Sequence, residues 1–188
     1  MFIDRILYPV TALGPGSRVA IWTVGCSRKC LGCANPELWE RHPEQKIEPE
    51  RLALYVNSMK DKGIDGITIT GGEPFDQASE IEQFIENLSF QTDILIFTGF
   101  KIEKLKESSE RAGLLQKIDV LIDGEYIREK NDGKSALRGS TNQRIHYINS
   151  NVADKYDDYI TEGRKIQNFL YDYKTISVGI HKGFRYGL

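Results

Sequence analysis

Strand-like and helix-like stretches alternate along most of this 188-residue chain, and that alternation restricts the fold more than any other feature. Arg18 to Val24 is rich in β-branched and aromatic residues, and Gly66 to Thr70 is a short apolar run ending in Gly71-Gly72. Asp93 to Phe97, closed by Thr98-Gly99, and Asp119 to Asp123 are two more. Between these runs, Glu50 to Lys62 puts Leu52, Leu54, Tyr55, Val56 and Met59 at helical spacing, with Gly63 as a stop. Ser79 to Leu88 repeats Ile81, Phe84, Ile85 and Leu88 on one helical face, and Lys101 to Leu115 reads as a charged surface helix. Ile145 to Ile148 and Thr175 to Val178 are weaker strand candidates, with a helix expected within Tyr156 to Tyr171. Strands alternating with helices predict βαβ units and a parallel sheet. Five or six units are too few to close an eight-strand barrel. The expected fold is therefore α/β, an open partial (β/α) barrel of about five to six parallel strands.

In such folds chemistry collects where strand C-termini meet loops, and the informative residues follow that rule. A cysteine loop follows the first long strand, Gly71-Gly72-Glu73-Pro74 the second, Thr98-Gly99 the third and Asp123-Gly124 the fourth. Glu125 to Gly139 is a long polar stretch expected to lie over the mouth of the site. No repeat, low-complexity tract or linker forces a second domain, so residues 1–188 are read as one domain.

The cysteine loop, Cys26-Ser27-Arg28-Lys29-Cys30-Leu31-Gly32-Cys33, holds all three cysteines of the chain. It can supply three thiolates to one metal centre and leave a fourth position open, which a catalytic centre needs and a structural one avoids. Three protein thiolates on a four-iron cluster leave one iron free for substrate. Two plainer readings compete. Structural zinc with His42 as fourth ligand is disfavoured because such sites pair their ligands in close knuckles, whereas here three share one loop. A disulfide framework conflicts with the odd count, and Met1 to Arg5 lacks the layout of a secretory signal.

Composition narrows the class further. The chain is 40% hydrophobic and 28% charged, with net charge −2, so no basic field argues for nucleic acid or a membrane surface. No apolar run approaches the length that spans a bilayer. Cysteines that must stay reduced point to the cytoplasm.

The glycines of Gly71-Gly72-Glu73-Pro74 let backbone approach a ligand, though a plain strand-to-helix turn with Glu73 in its first turn reads equally well in isolation. Following a three-Cys loop, the segment resembles the "GGE" motif of the radical S-adenosylmethionine (SAM) enzymes. The resemblance becomes closer through Gly14 to Arg18, Cys30-Leu31-Gly32-Cys33-Ala34-Asn35, Trp39, Thr98-Gly99-Phe100, Asp123-Gly124 and Arg138 to Gln143. In this order they resemble the activating enzymes of anaerobic (class III) ribonucleotide reductase, over a core of about residues 6–148.

That resemblance implies a concrete chemistry. Cys26, Cys30 and Cys33 would ligate one [4Fe–4S] cluster. Gly32, Cys33 and Ala34 would meet SAM on its adenine side, and Gly71, Gly72 and Glu73 on its methionine side. Thr98, Asp123 and Arg138 are further candidates near SAM. A flavodoxin- or ferredoxin-type donor would reduce the cluster, SAM would be cleaved to a 5′-deoxyadenosyl radical, and the radical would take hydrogen from a glycine of the large reductase subunit. No side-chain general base is required. Arg28 and Lys29 would tune the cluster or meet the partner, and Asn142 and Gln143 would be polar tools near SAM or loop anchors. Trp22 and Trp39 are read as packing, while His146 and His181 are assigned no role.

Residues 149–188 extend beyond the matching core and are expected to add a helix and a strand that completes the sheet. Two other functions remain open: a small radical SAM enzyme acting on a small molecule or peptide, similar to carboxy-deazaguanine synthase, and a non-catalytic metal-binding module.

Overall fold

The structure, a computed structural model, describes residues 1–171 and 173–181; the last part of the expected C-terminal extension, 182–188, lies outside them. Six strands form the main sheet in sequence order: β1 (Ile3–Val10), β2 (Arg18–Thr23), β3 (Gly66–Gly71), β4 (Asp93–Phe97), β5 (Val120–Asp123) and β6 (Arg144–Tyr147). β2, β3, β4 and β5 are parallel to one another, whereas β1 and β6 pair antiparallel at the two edges. Four parallel strands thus replace the five or six expected. The cause lies in the connections, because a parallel return needs a crossover, usually a helix. No α-helix fills the short link from β1 to β2 or the polar link from β5 to β6.

The crossovers that do carry helices cover one face. α1 (Pro49–Asn57), α2 (Ala78–Glu86), α3 (Ile102–Leu105) and α4 (Ser109–Leu115) pack Leu52, Val56, Ile81, Phe84, Leu105 and Leu114 on Val19, Ile21, Ile67, Ile69, Ile94 and Ile96. The single helix expected over Lys101 to Leu115 is two helices, because the Ser108 hydroxyl accepts from the Arg111 N–H and starts α4 anew. Alternate residues of the same strands turn to the opposite face. There Leu95, Val120 and Ile122 pack on Tyr156 and Tyr159 of α5 (Ala153–Thr161), while Ala20 and Trp22 pack on Val178 and Phe169.

These last two residues belong to a hairpin of β7 (Ile166–Tyr171) and β8 (Lys174–Gly179). The expected C-terminal helix and strand are present, but the helix ends early. Gly163 adopts φ 77, and β7 occupies what periodicity assigned to helix. The strand does not complete the main sheet, since β7 and β8 form a two-stranded sheet of their own. Gln167 pins this hairpin to the end of β1 and the loop after it, accepting from the Thr11 N–H at 2.8 Å and donating to the Pro9 carbonyl at 2.9 Å. At the other end of the strands lies a buried ion pair, Arg18 with Asp93 at 2.6 Å, which Lys155 and the Tyr156 hydroxyl also reach. Among the described residues no helix is long and apolar enough to cross a membrane.

Candidate metal centre

β2 ends at Thr23 and delivers the chain through Val24 and Gly25 into the cysteine loop. Two backbone bonds clamp the base of that loop: the Gly25 N–H donates to the Leu38 carbonyl at 2.9 Å and the Cys26 N–H to the Trp39 carbonyl at 3.0 Å. Asp76 holds it from the neighbouring unit, accepting from the Ser27 N–H at 2.8 Å and the Ser27 hydroxyl at 3.0 Å. The loop turns through Lys29 at φ 43 and Gly32 at φ 76. A Cβ on Gly32 would sit 3.3 Å from Arg128, so the polar stretch after β5 does lie against the cysteine loop.

The Gly71-Gly72-Glu73 segment is stitched to the same loop. The Gly72 N–H donates to the Thr23 carbonyl and the Glu73 N–H to the Gly25 carbonyl, each at 2.8 Å. A Cβ would lie 2.4 Å from the Thr23 carbonyl oxygen at Gly71 and 2.3 Å from the Gly25 oxygen at Gly72. Both glycines are therefore required by the close approach of two backbones, whatever else they meet. Glu73 is buried, and its carboxylate accepts from the Thr98 hydroxyl at 2.7 Å, the Gly99 N–H at 2.8 Å and the Phe75 N–H at 3.0 Å. Burial pushes its pKa up to about 7 despite these donors. Three of its roughly four acceptor positions are taken.

These segments surround one cavity of about 340 Å³. Cys26, Cys30, Cys33, Gly32, Ala34, Gly71, Gly72, Glu73 and Thr98 all line it. Asp123 and Arg138 do not. Asp123 is buried below, accepting from Arg144 Nη2 at 2.5 Å and the Ile102 N–H at 2.7 Å, with His146 Nε2 at 3.1 Å. Burial opposes ionisation there, but Arg144 and the other donors outweigh it and lower the pKa. Arg138 reaches the Gln143 carbonyl at 3.5 Å, part of a loop anchor in which Gln143 Oε1 accepts from the Gly139 N–H at 2.7 Å. Asn142 anchors the same loop, donating to the Glu125 carbonyl at 2.8 Å. Arg28 lies over Phe100 and 3.5 Å from Glu125, and Lys29 pairs with Glu40 at 2.5 Å. Trp22, Trp39, Tyr126 and the run Ile176 to His181 also line the cavity. The tryptophans read as packing in the sequence, and Tyr126 falls in the stretch Glu125 to Gly139 expected over the mouth. Ile176 to His181 carry no sequence signal for the site, because only long-range folding brings them there.

The donor set suits a thiolate-bound cluster. None of the three cysteines is in a disulfide. Backbone N–H groups of Arg28 and Lys29 point at the Cys26 sulfur, that of Tyr126 at the Cys30 sulfur, and that of Asn35 at the Cys33 sulfur at 3.4 Å. Burial nonetheless raises the Cys26 and Cys30 thiols above their usual pKa. A metal ion reverses that preference, since a coordinating thiol is deprotonated outright. Among the described residues, no group of three or more His, Cys, Asp or Glu is gathered tightly enough to hold a single metal ion. The three thiols are spaced around a shared cavity, and His42 is exposed in a separate turn.

Residues 12–146 match the family described as a 4Fe-4S single cluster domain. The chain is 34% identical to the anaerobic ribonucleoside-triphosphate reductase-activating protein of Enterobacteria phage T4, over 84% of this chain and 100% of that protein. The protein of the same name from Vibrio cholerae is 33% identical over 74% of this chain and 94% of its own length. The one from Escherichia coli K12 is 28% identical, over 75% and 96%.

Proposed function

Because this chain belongs to the family of the anaerobic ribonucleoside-triphosphate reductase-activating proteins and carries its 4Fe-4S single cluster domain, we propose that it is a radical SAM activase of an anaerobic ribonucleotide reductase. The observation that carries the reading is the convergence of the three thiols and the Gly71-Gly72-Glu73 segment on one cavity. A [4Fe–4S] cluster with SAM supplies, when bound, a 5′-deoxyadenosyl radical able to take hydrogen from a glycine of the reductase large subunit. An electron donor of flavodoxin or ferredoxin type is part of this proposal.

The chain's own residues bind, orient and shield. Cys26, Cys30 and Cys33 hold the cluster, and the N–H groups of Arg28, Lys29, Tyr126 and Asn35 stabilise charge on their sulfurs, a recognised lever on cluster potential. Gly32 and Ala34 offer backbone to the adenine side of SAM, and Gly71 and Gly72 to the methionine side. Glu73 fixes the Thr98–Gly99 turn against β3 and keeps one acceptor position for an ammonium group. Asp123 and Arg138 act at a distance, holding β5, β6 and the covering loop in place. Trp22, Trp39 and the hairpin wall keep water away from a reactive site.

The test is activation itself. Chain reconstituted anaerobically with iron and sulfide is mixed with SAM, dithionite and the large subunit of an anaerobic ribonucleotide reductase, and electron paramagnetic resonance is recorded. The expected result is a glycyl radical signal that requires all four components. A cluster-loaded chain that leaves the large subunit without a radical would overturn the reading.

A further inference from the structure

We propose that the outer edge of β8 is a docking strand, to which an extended polypeptide segment carrying the reacting glycine adds by main-chain hydrogen bonds. The inference rests on the activase reading and deepens it by naming how the substrate segment is held.

The wall formed by the hairpin is unusual in kind. Ile176, Ser177, Val178, Gly179, Ile180 and His181 all line the cavity, and among the described residues none of β7 does. Side chains of a strand alternate between faces, so the consecutive lining by Ile176 to Gly179 of β8 means that the strand presents its edge, with Ile180 and His181 continuing the wall beyond it. β7 occupies the other edge, pairing Ile166 with Gly179 through Tyr171 with Lys174. The two strands make a sheet of their own, so among the described residues the outward N–H and C=O groups of β8 have no strand partner. The Ser177 carbonyl shows the direction, lying 3.2 Å from His181 Nε2 rather than serving β7 alone. Unpaired edges take up extended chains, and proteins ordinarily cover or blunt them. This one borders the cysteine cavity instead.

The edge is also held rigidly, which lowers the cost of pairing. Val178 is buried against Trp22, and Gln167 ties β7 to the end of β1 and the loop after it. The hairpin lies outside the span 12–146 that matches the family domain. The occupant follows from the chemistry of the substrate. Glycine has no side chain to grip, so at the reacting residue itself the contacts available are to its backbone. A strand edge recognises backbone by its nature.

Hydrogen exchange on the full reconstituted chain, with and without the large subunit of an anaerobic ribonucleotide reductase, tests this directly. Within peptides spanning 174–181, the outward amides that do not serve β7 are expected to exchange readily in the free chain and to become protected in the complex. Ser177→Pro removes an outward N–H at an edge position where proline is tolerated, and Ser177→Ala keeps it. The proline variant is expected to bind the large subunit about tenfold more weakly than the alanine variant, as loss of main-chain pairing requires. Protection of those outward amides already complete in the free chain would show that the chain's own residues fill the edge, and would overturn the proposal. So would complex formation with no added protection there, or equal binding by the two variants. Should the proline variant fail to fold, hydrogen exchange on the wild type still decides. SAM cleavage by wild type, measured alongside, separates the two levels: without it the activase reading fails, and with it an unprotected β8 sinks the docking strand alone.

Discussion

Glu73 shows how a single residue couples burial to chemistry. Its carboxylate is enclosed, and three donors do not fully replace the lost water. With the folded pKa near 7 and the ordinary value at 4.5, the folded chain binds a proton that the unfolded chain has lost between those values. Stability contributed by the protonated form is therefore complete below about 4.5 and lost as pH rises through 7. Urea titrations of the metal-free chain should show stability falling between pH 5 and pH 7.5 by roughly 2–3 kcal/mol. Glu73→Gln should flatten that fall, and an unchanged slope would contradict the assignment. Arg18 poses the opposite problem, a guanidinium with no exposure whose ionic partner is Asp93. Burial works against the Asp93 charge, yet Arg18, Lys155 and Tyr156 outweigh it and lower its pKa. Asp93→Ala strands the buried cation and should cost about 3–5 kcal/mol in the same titration.

Strands and loops carry the next level of the account. The site is assembled where the β2 exit and the β3 exit touch, and the contact is backbone on backbone. Gly72→Ala places a methyl 2.3 Å from the Gly25 carbonyl oxygen, so one of the two exits must move. The variant should lose about 1–3 kcal/mol and retain less iron after reconstitution, measured by metal analysis. Full iron content would show that the loop tolerates the shift. The central strands were legible because each is an apolar run closed by a loop residue: Gly66 to Gly71 and Asp93 to Phe97 are buried almost throughout. β1 was not legible, since Asp4, Arg5 and Pro9 break any apolar pattern and only pairing with β2 makes it a strand. Ile166 to Tyr171 carries no decisive period, and the ladder with β8 decides its state.

At the scale of the whole molecule, a four-strand parallel centre gathers its loop ends around one cavity, and the C-terminal hairpin walls one side. That the cysteines and the Gly-Gly-Glu segment meet was readable because strand-end position alone predicts it. Asp123 and Arg138 also end or follow strands, but which way a side chain turns depends on partners far off in sequence, here Arg144 and Gln143. The hairpin wall was hidden for the same reason: β8 reaches the cavity only by packing Val178 on Trp22. The measurement that bears most directly on the central claim is SAM turnover by the reconstituted chain under dithionite, with 5′-deoxyadenosine and methionine followed by chromatography. The account predicts both products from wild type and neither from Cys30→Ala. A wild-type chain that binds iron and sulfide yet leaves SAM intact would contradict it.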